Sequence, residues 1–278
     1  MLNFELTHLP HRVEKPRKSG LTMVMDKGLS IRECEDMVSG SGDFIDIVKL
    51  GFGSSVITPN LERKLAFFKE VGIPVYFGGT LLEAFIIRGM FDDYLHLLDR
   101  YKMEFAEISD GSISLPHQEK CHYIHRLAKR VTVVSEVGSK EEGILIRPNM
   151  WIDMMKAELD AGAWKVIAEA RESGTVGIYR PNGKAHVMLI NKIVARIPAE
   201  KIIWEAPQKS QQAYFIKHFG ANVNLGNIGP NEVIALETLR LGLRSDTFFQ
   251  YLDKTMQNSR QATDVAPVKG KKTTVEED

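Results

Sequence analysis

Short apolar runs alternate along this chain with stretches of helical spacing, and nearly every run closes on a charged or glycine-rich cluster. The first four are Leu21–Met25 closing on Asp26, Lys27 and Gly28, Phe44–Val48 closing on Lys49, Ile73–Phe77 closing on Gly78 and Gly79, and Phe105–Ile108 with Glu107, Ser109 and Asp110. The other four are Val131–Ser135 with Glu136 and Lys140, Ala163–Ala168 with Glu169 and Arg171, Lys201–Trp204 with Glu205, and Asn222–Leu225 with Gly226 and Asn227. Strands of a parallel sheet are covered on both faces and read as such continuous apolar runs. Between them, Leu61, Leu65 and Phe68, then Leu95 and Leu98, fall at the spacing of one helix face. A β-then-α order repeated eight times predicts an α/β fold, a single (β/α)8 TIM barrel, because eight such units close on themselves within about 250 residues. The barrel is expected to occupy residues 1–258. Residues 259–278 are polar and are expected to remain disordered, with too little apolar surface to offset the entropy of ordering.

Composition narrows the choice of partner. The 36 Lys and Arg residues equal the 36 Asp and Glu residues, so no global field draws in nucleic acid or an anionic membrane, and an anionic ligand must be caught by local geometry. No apolar stretch approaches the roughly 18 residues of a membrane span, and the Met1–Leu6 start lacks the basic and apolar regions of a secretory signal, so a cytoplasmic location is expected. Cys34 and Cys121 form no CxxC pair and read as structural thiols. His122 and His125 lie three apart on an expected helix, but with no third ligand nearby they read as helix surface.

The C-terminal ends of barrel strands build the active site of this architecture, and here they carry Asp26, Glu107, Asp110, Glu136, Glu169 and Glu205. Carboxylates converging on one rim repel one another unless a cation offsets them, and an oxygen-rich site suits Mg²⁺. Some pair among Glu107, Glu136, Glu169 and Glu205 is therefore expected to hold a divalent metal. Adjacent residues at a strand end point to opposite faces, so the runs alone do not choose the pair. Lys27, Lys49, Lys140, Arg171 and, just before the first strand, Arg17 supply cations for an anionic substrate; alternatively Lys49 neutralises Asp26 and Arg171 neutralises Glu205. After the eighth run, Gly226 and Asn227 open a Gly-rich turn through Gly229 and Pro230 into a helix, at the position where barrels bind phosphate on free backbone N–H groups.

Several of these clusters occur together in an order that resembles the phosphosulfolactate synthase family. They are Lys15-Pro16-Arg17, Asp26-Lys27-Gly28, Lys49-Leu50-Gly51-Phe52-Gly53, Gly78-Gly79-Thr80, Glu107-Ile108-Ser109-Asp110-Gly111, Glu136-Val137-Gly138-Ser139-Lys140, Glu169-Ala170-Arg171-Glu172-Ser173-Gly174, Glu205-Ala206-Pro207 and Asn224-Leu225-Gly226-Asn227. The likeness runs from about Lys15 to Thr247. It implies a (β/α)8 lyase, a homotrimer, that uses Mg²⁺ to add sulfite to phosphoenolpyruvate and forms (R)-2-phospho-3-sulfolactate, the first step toward coenzyme M in archaea. It also implies that Lys140 delivers a proton, with Lys49 or Lys27 the alternative donor. Arg17, Lys49 and Arg171, with the Gly226-Asn227 turn, are then expected to hold phosphate and sulfite. The chain is similar as well to plant heat-tolerance relatives of that family, which leaves as the alternative a silent or differently specific barrel acting in stress tolerance.

Overall fold

A computed structural model describes residues 3–138, 147–170 and 173–258. Its eight strands are β1 (Thr22–Asp26), β2 (Ile47–Leu50), β3 (Val75–Phe77), β4 (Phe105–Ile108), β5 (Thr132–Val137), β6 (Lys165–Ala168), β7 (Ile202–Glu205) and β8 (Leu225–Ile228). All ladders are parallel and the order is β3-β2-β1-β8-β7-β6-β5-β4, a (β/α)8 barrel that is nearly closed, with β3 and β4 flanking the seam. The helices wrapped around it are α1 (Ile31–Ser41), α2 (Leu61–Glu70), α3 (Gly79–Ile86), α4 (Phe91–Tyr101), α5 (His117–Ala128), α6 (Pro148–Asp160), α7 (Val187–Val194), α8 (Lys209–Phe219) and α9 (Val233–Arg240). No helix among the described residues is long and apolar enough to cross a membrane. The expected tail, residues 259–278, lies outside the described residues.

Two apolar layers hold the wall in place. Met23, Ile47, Tyr76, Val134, Ile167 and Ile203 fill the barrel interior, while Val24, Val48, Phe77, Ile108, Val166 and Trp204 face the helices. Side chains alternate along a strand, so this packing fixes the pleat phase that the runs left open. Ile47, Ile167 and Ile203 point inward, and so do Lys49, Glu169 and Glu205 two residues on; the same phase carries Glu136 inward after Val134.

The largest departures from the expected bounds are at β2 and β8. Gly42–Phe44 form a 3-10 turn, so β2 begins at Ile47. The last strand lies three residues later than its apolar run suggests, because the side chains of Asn222 and Asn224 are spent on backbone: Asn224 accepts from Leu21 N–H (3.1 Å) and donates to Ile202 C=O (2.9 Å). Gly226 and Asn227 therefore lie within β8 itself rather than in the turn after it.

Candidate active site

Lys49 is the centre of the C-terminal mouth. Its ammonium lies 2.9 Å from Glu107 Oε2, 3.6 Å from Glu136 Oε2 and 3.7 Å from Glu205 Oε1, and all four side chains are buried. Burial alone would lower the lysine pKa, but Glu107, Glu136 and Glu205 together outweigh it and raise the value well above the ordinary one, so Lys49 is held as a cation. Glu107 is drawn to one side. Its Oε1 accepts from Gly79 N–H at 2.7 Å and its Oε2 faces Lys49, which fixes it across the seam between β3 and β4.

Glu136, Glu169 and Glu205 converge: each offers a carboxylate oxygen, and the three oxygens lie within 4.8 Å of one another. Glu205 Oε2 accepts from Ala170 N–H at 2.9 Å, whereas its Oε1 has no hydrogen-bond partner among the described residues. Burial, opposed by Lys49 and reinforced by the Glu136 and Glu107 charges, brings the Glu205 carboxyl up to about 7. Three buried carboxylates with a surplus of negative charge, one of them with an oxygen that accepts no hydrogen bond among the described residues, fit a small, hard divalent cation such as Mg²⁺. Of the four expected metal carboxylates, the structure brings these three together and leaves Glu107 with Lys49 and Gly79.

The remaining expected site residues divide. Asp26 pairs with Lys64 (2.5 Å) rather than with Lys49, and its Oδ1 accepts from Gly28 and Leu29 N–H, both at 2.7 Å, which ties the turn after β1. Lys27, on that turn, is exposed and lines a cleft of 440 Å³ with Ser30, Thr58 and Asn60. Asp110 is taken up by Lys120 at 2.9 Å. Arg17 does not reach the mouth. It pairs with Asp46 at 3.0 Å and donates to Val13 C=O, and Asp46 in turn accepts from Thr22 N–H at the start of β1. Four residues of strand, about 13 Å, separate that end from the mouth. In this arrangement Arg17 ties the N-terminal face of the barrel.

Gly226 is a packing position. A Cβ there would meet Met23 Cε at 2.5 Å and Ile203 Cγ2 at 3.0 Å inside the barrel. Asn227 is buried at φ 56° and its side-chain oxygen has no partner among the described residues, so it keeps a polar atom to offer. Lys140 and Arg171 lie outside the described residues.

Sequence reasoning missed Tyr76, whose hydroxyl sits 2.5 Å from Met23 Sδ, with Glu107 and Lys49 beside it. Burial first, and then the Glu107 charge, raise its pKa far above the usual value, so it is a neutral phenol in the floor of the site. The available signal was a single hydroxyl-bearing residue inside an apolar strand. It was legible only once the inward phase of β3 was known.

A parallel eight-stranded barrel with a buried lysine and carboxylates at the C-terminal strand ends is the architecture of a TIM-barrel enzyme. In fold alone it is similar to 3-hexulose-6-phosphate synthase from Salmonella typhimurium, with a TM-score of 0.54 at 12% identity over 81% of this chain and 100% of that one. The chain belongs to the (2R)-phospho-3-sulfolactate synthase (ComA) family, whose family model matches residues 10–246. It is 40% identical over 252 residues to the phosphosulfolactate synthase of Bacillus subtilis (strain 168), covering 90% of this chain and 100% of that protein. It is 42% identical over 235 residues to that of Methanocaldococcus jannaschii, covering 82% and 94%. A more distant likeness, 25% over 259 residues covering 82% and 88%, is to Protein HEAT-STRESS-ASSOCIATED 32 of Arabidopsis thaliana.

Proposed function

We propose that this chain is a lyase that adds sulfite to phosphoenolpyruvate to give (R)-2-phospho-3-sulfolactate, with Mg²⁺ at Glu136, Glu169 and Glu205. The observation that carries this reading is the convergence of those three carboxylates beside Lys49, at the mouth of a barrel of this family. Bound there, Mg²⁺ supplies a Lewis acid for the charge that develops on the substrate carboxylate. The sulfur lone pair of sulfite forms the new bond to C3, the C2–C3 double-bond electrons move toward the carboxylate, and C2 then takes a proton.

The chain's own residues do the rest. Lys49 offsets the carboxylates around it and keeps Glu136 and Glu205 from moving apart. Its raised pKa suits it to holding charge rather than giving up a proton, and the donor to C2 that the family resemblance implies is Lys140. Lys27 offers a cation from the cleft beside β1 and Asn227 its unpartnered amide oxygen, and by the family resemblance Arg171 is a second cation for the substrate. The test is the enol absorbance of phosphoenolpyruvate in the presence of protein, bisulfite and Mg²⁺. It should fall only when all three are present. No loss of absorbance under those conditions, or equal loss without bisulfite, rejects the reaction.

A further inference from the structure

Each of the three convergent carboxylates is borne by a residue whose own backbone carbonyl is gripped from outside the barrel. Glu136 C=O accepts from Lys120 Nζ at 2.5 Å. Glu169 C=O accepts from Ile178 N–H at 3.0 Å. Glu205 C=O accepts from the Tyr179 hydroxyl at 2.6 Å. Strand-end carbonyls lie past the ladder of a parallel sheet and stay unsatisfied unless something else donates to them.

The donors are themselves tightly built in. Lys120 is fully buried on α5 and spends its three N–H groups on Glu136 C=O, Asp110 (2.9 Å) and Glu158 (3.0 Å), while Glu158 also accepts from Ser135 Oγ at 2.5 Å. Ile178 and Tyr179 follow Gly177, whose φ of 63° and approach to Glu169 C=O leave no room for a Cβ. Tyr179 is buried, its ring packs edge-on against Phe215, and burial raises its pKa so that the hydroxyl stays a donor. One short segment, Gly177–Tyr179, thus braces two neighbouring strand ends, and Lys120 braces the third.

We infer that Tyr179 and Lys120 are positioning residues that set the spacing of the Glu136, Glu169 and Glu205 carboxylates, and so the affinity of the site for a divalent cation. The inference rests on the metal reading of that site. Groups that orient ligands from behind change metal affinity about 10- to 100-fold when removed. A hydrogen bond that acts through backbone belongs at the lower end of that range.

The test uses Mn²⁺ alone, titrated into the full chain by calorimetry, for wild type, Tyr179→Phe and Phe215→Leu. Tyr179→Phe removes one oxygen and keeps the ring, so it should melt within a few degrees of wild type yet bind Mn²⁺ about tenfold more weakly. Phe215→Leu perturbs the same packing without touching Glu205, so it should lose stability and keep its Mn²⁺ affinity. Wild-type affinity in Tyr179→Phe, or an equal loss in Phe215→Leu, overturns the inference. Should wild type bind no Mn²⁺, the metal reading fails and amide exchange judges the bracing. The Ala170 N–H rests on Glu205 Oε2, so it should exchange faster in Tyr179→Phe, and an unchanged rate overturns the bracing as well.

Discussion

Replacing Glu205 with Gln should make the metal-free protein more stable while removing the cation's ability to stabilise it. Glu205 is fully enclosed, and its carboxyl holds a proton up to about pH 7 in the fold against 4.5 ordinarily. Between those values the folded state binds more protons than the unfolded state, so stability falls as pH rises through that window. The penalty is absent below about pH 4.5, complete above about pH 7, and amounts to about 3 kcal/mol. Glutamine keeps an oxygen for Ala170 N–H and carries no charge, so the variant avoids the penalty. In chelator at pH 8, Glu205→Gln should therefore melt about 6 to 12 °C above wild type, and the gap should close as pH falls to 4.5. Adding Mg²⁺ should raise the wild-type melt according to its occupancy and leave the variant where it was. Thermal melts at several pH values, with and without Mg²⁺, measure both effects. A variant no more stable than wild type in chelator at pH 8 would refute the electrostatic argument, and a full Mg²⁺ response in the variant would remove Glu205 from the metal set.

Lys49→Met leaves Glu107, Glu136 and Glu205 buried around an uncharged chain, so it should cost about 3 to 5 kcal/mol at pH 8, with much of the loss recovered on acidification; denaturant melts at two pH values check it. Arg17→Met, at the N-terminal face, should lower stability by about 1 to 3 kcal/mol through the stranded Asp46 while leaving KM for phosphoenolpyruvate unchanged; a raised KM would return Arg17 to the substrate site. Lys140→Ala should lose roughly 10² to 10⁴ in turnover with a smaller effect on KM, and Lys140→Arg should not restore it; an active Arg variant would mean that Lys140 supplies charge only.

The eight strands, their order and most of the residues at their ends were legible because apolar runs and charged terminators are local features of the chain; the end of β8 was not. Which end residues meet was not. The pleat phase that sends Lys49, Glu136, Glu169 and Glu205 inward together is set by what Ile47, Val134, Ile167 and Ile203 fill, and that is a packing fact. The rim pairings followed the same rule. Asp26 found Lys64 on α2 and Asp110 found Lys120 on α5, both helix residues with no distinguishing mark in sequence. The partner of Arg17 was equally hidden, because its nearness to β1 in sequence says nothing about which end of the barrel it caps. The packing role of Gly226 was hidden too, because a glycine that makes room for Met23 is spelled like one that cradles an anion. Tyr76 and Tyr179 carry single hydroxyls whose value depends wholly on what lies within hydrogen-bond reach.

The measurement that reaches the central claim most directly is a phosphorus NMR spectrum of the protein with phosphoenolpyruvate, bisulfite and Mg²⁺. Replacement of the enol phosphate resonance by one new phosphate-ester resonance, absent without bisulfite and strongly diminished in Glu136→Gln or Glu169→Gln, is the predicted result. A spectrum in which the enol phosphate persists, or in which it is lost to free phosphate alone, would contradict the account.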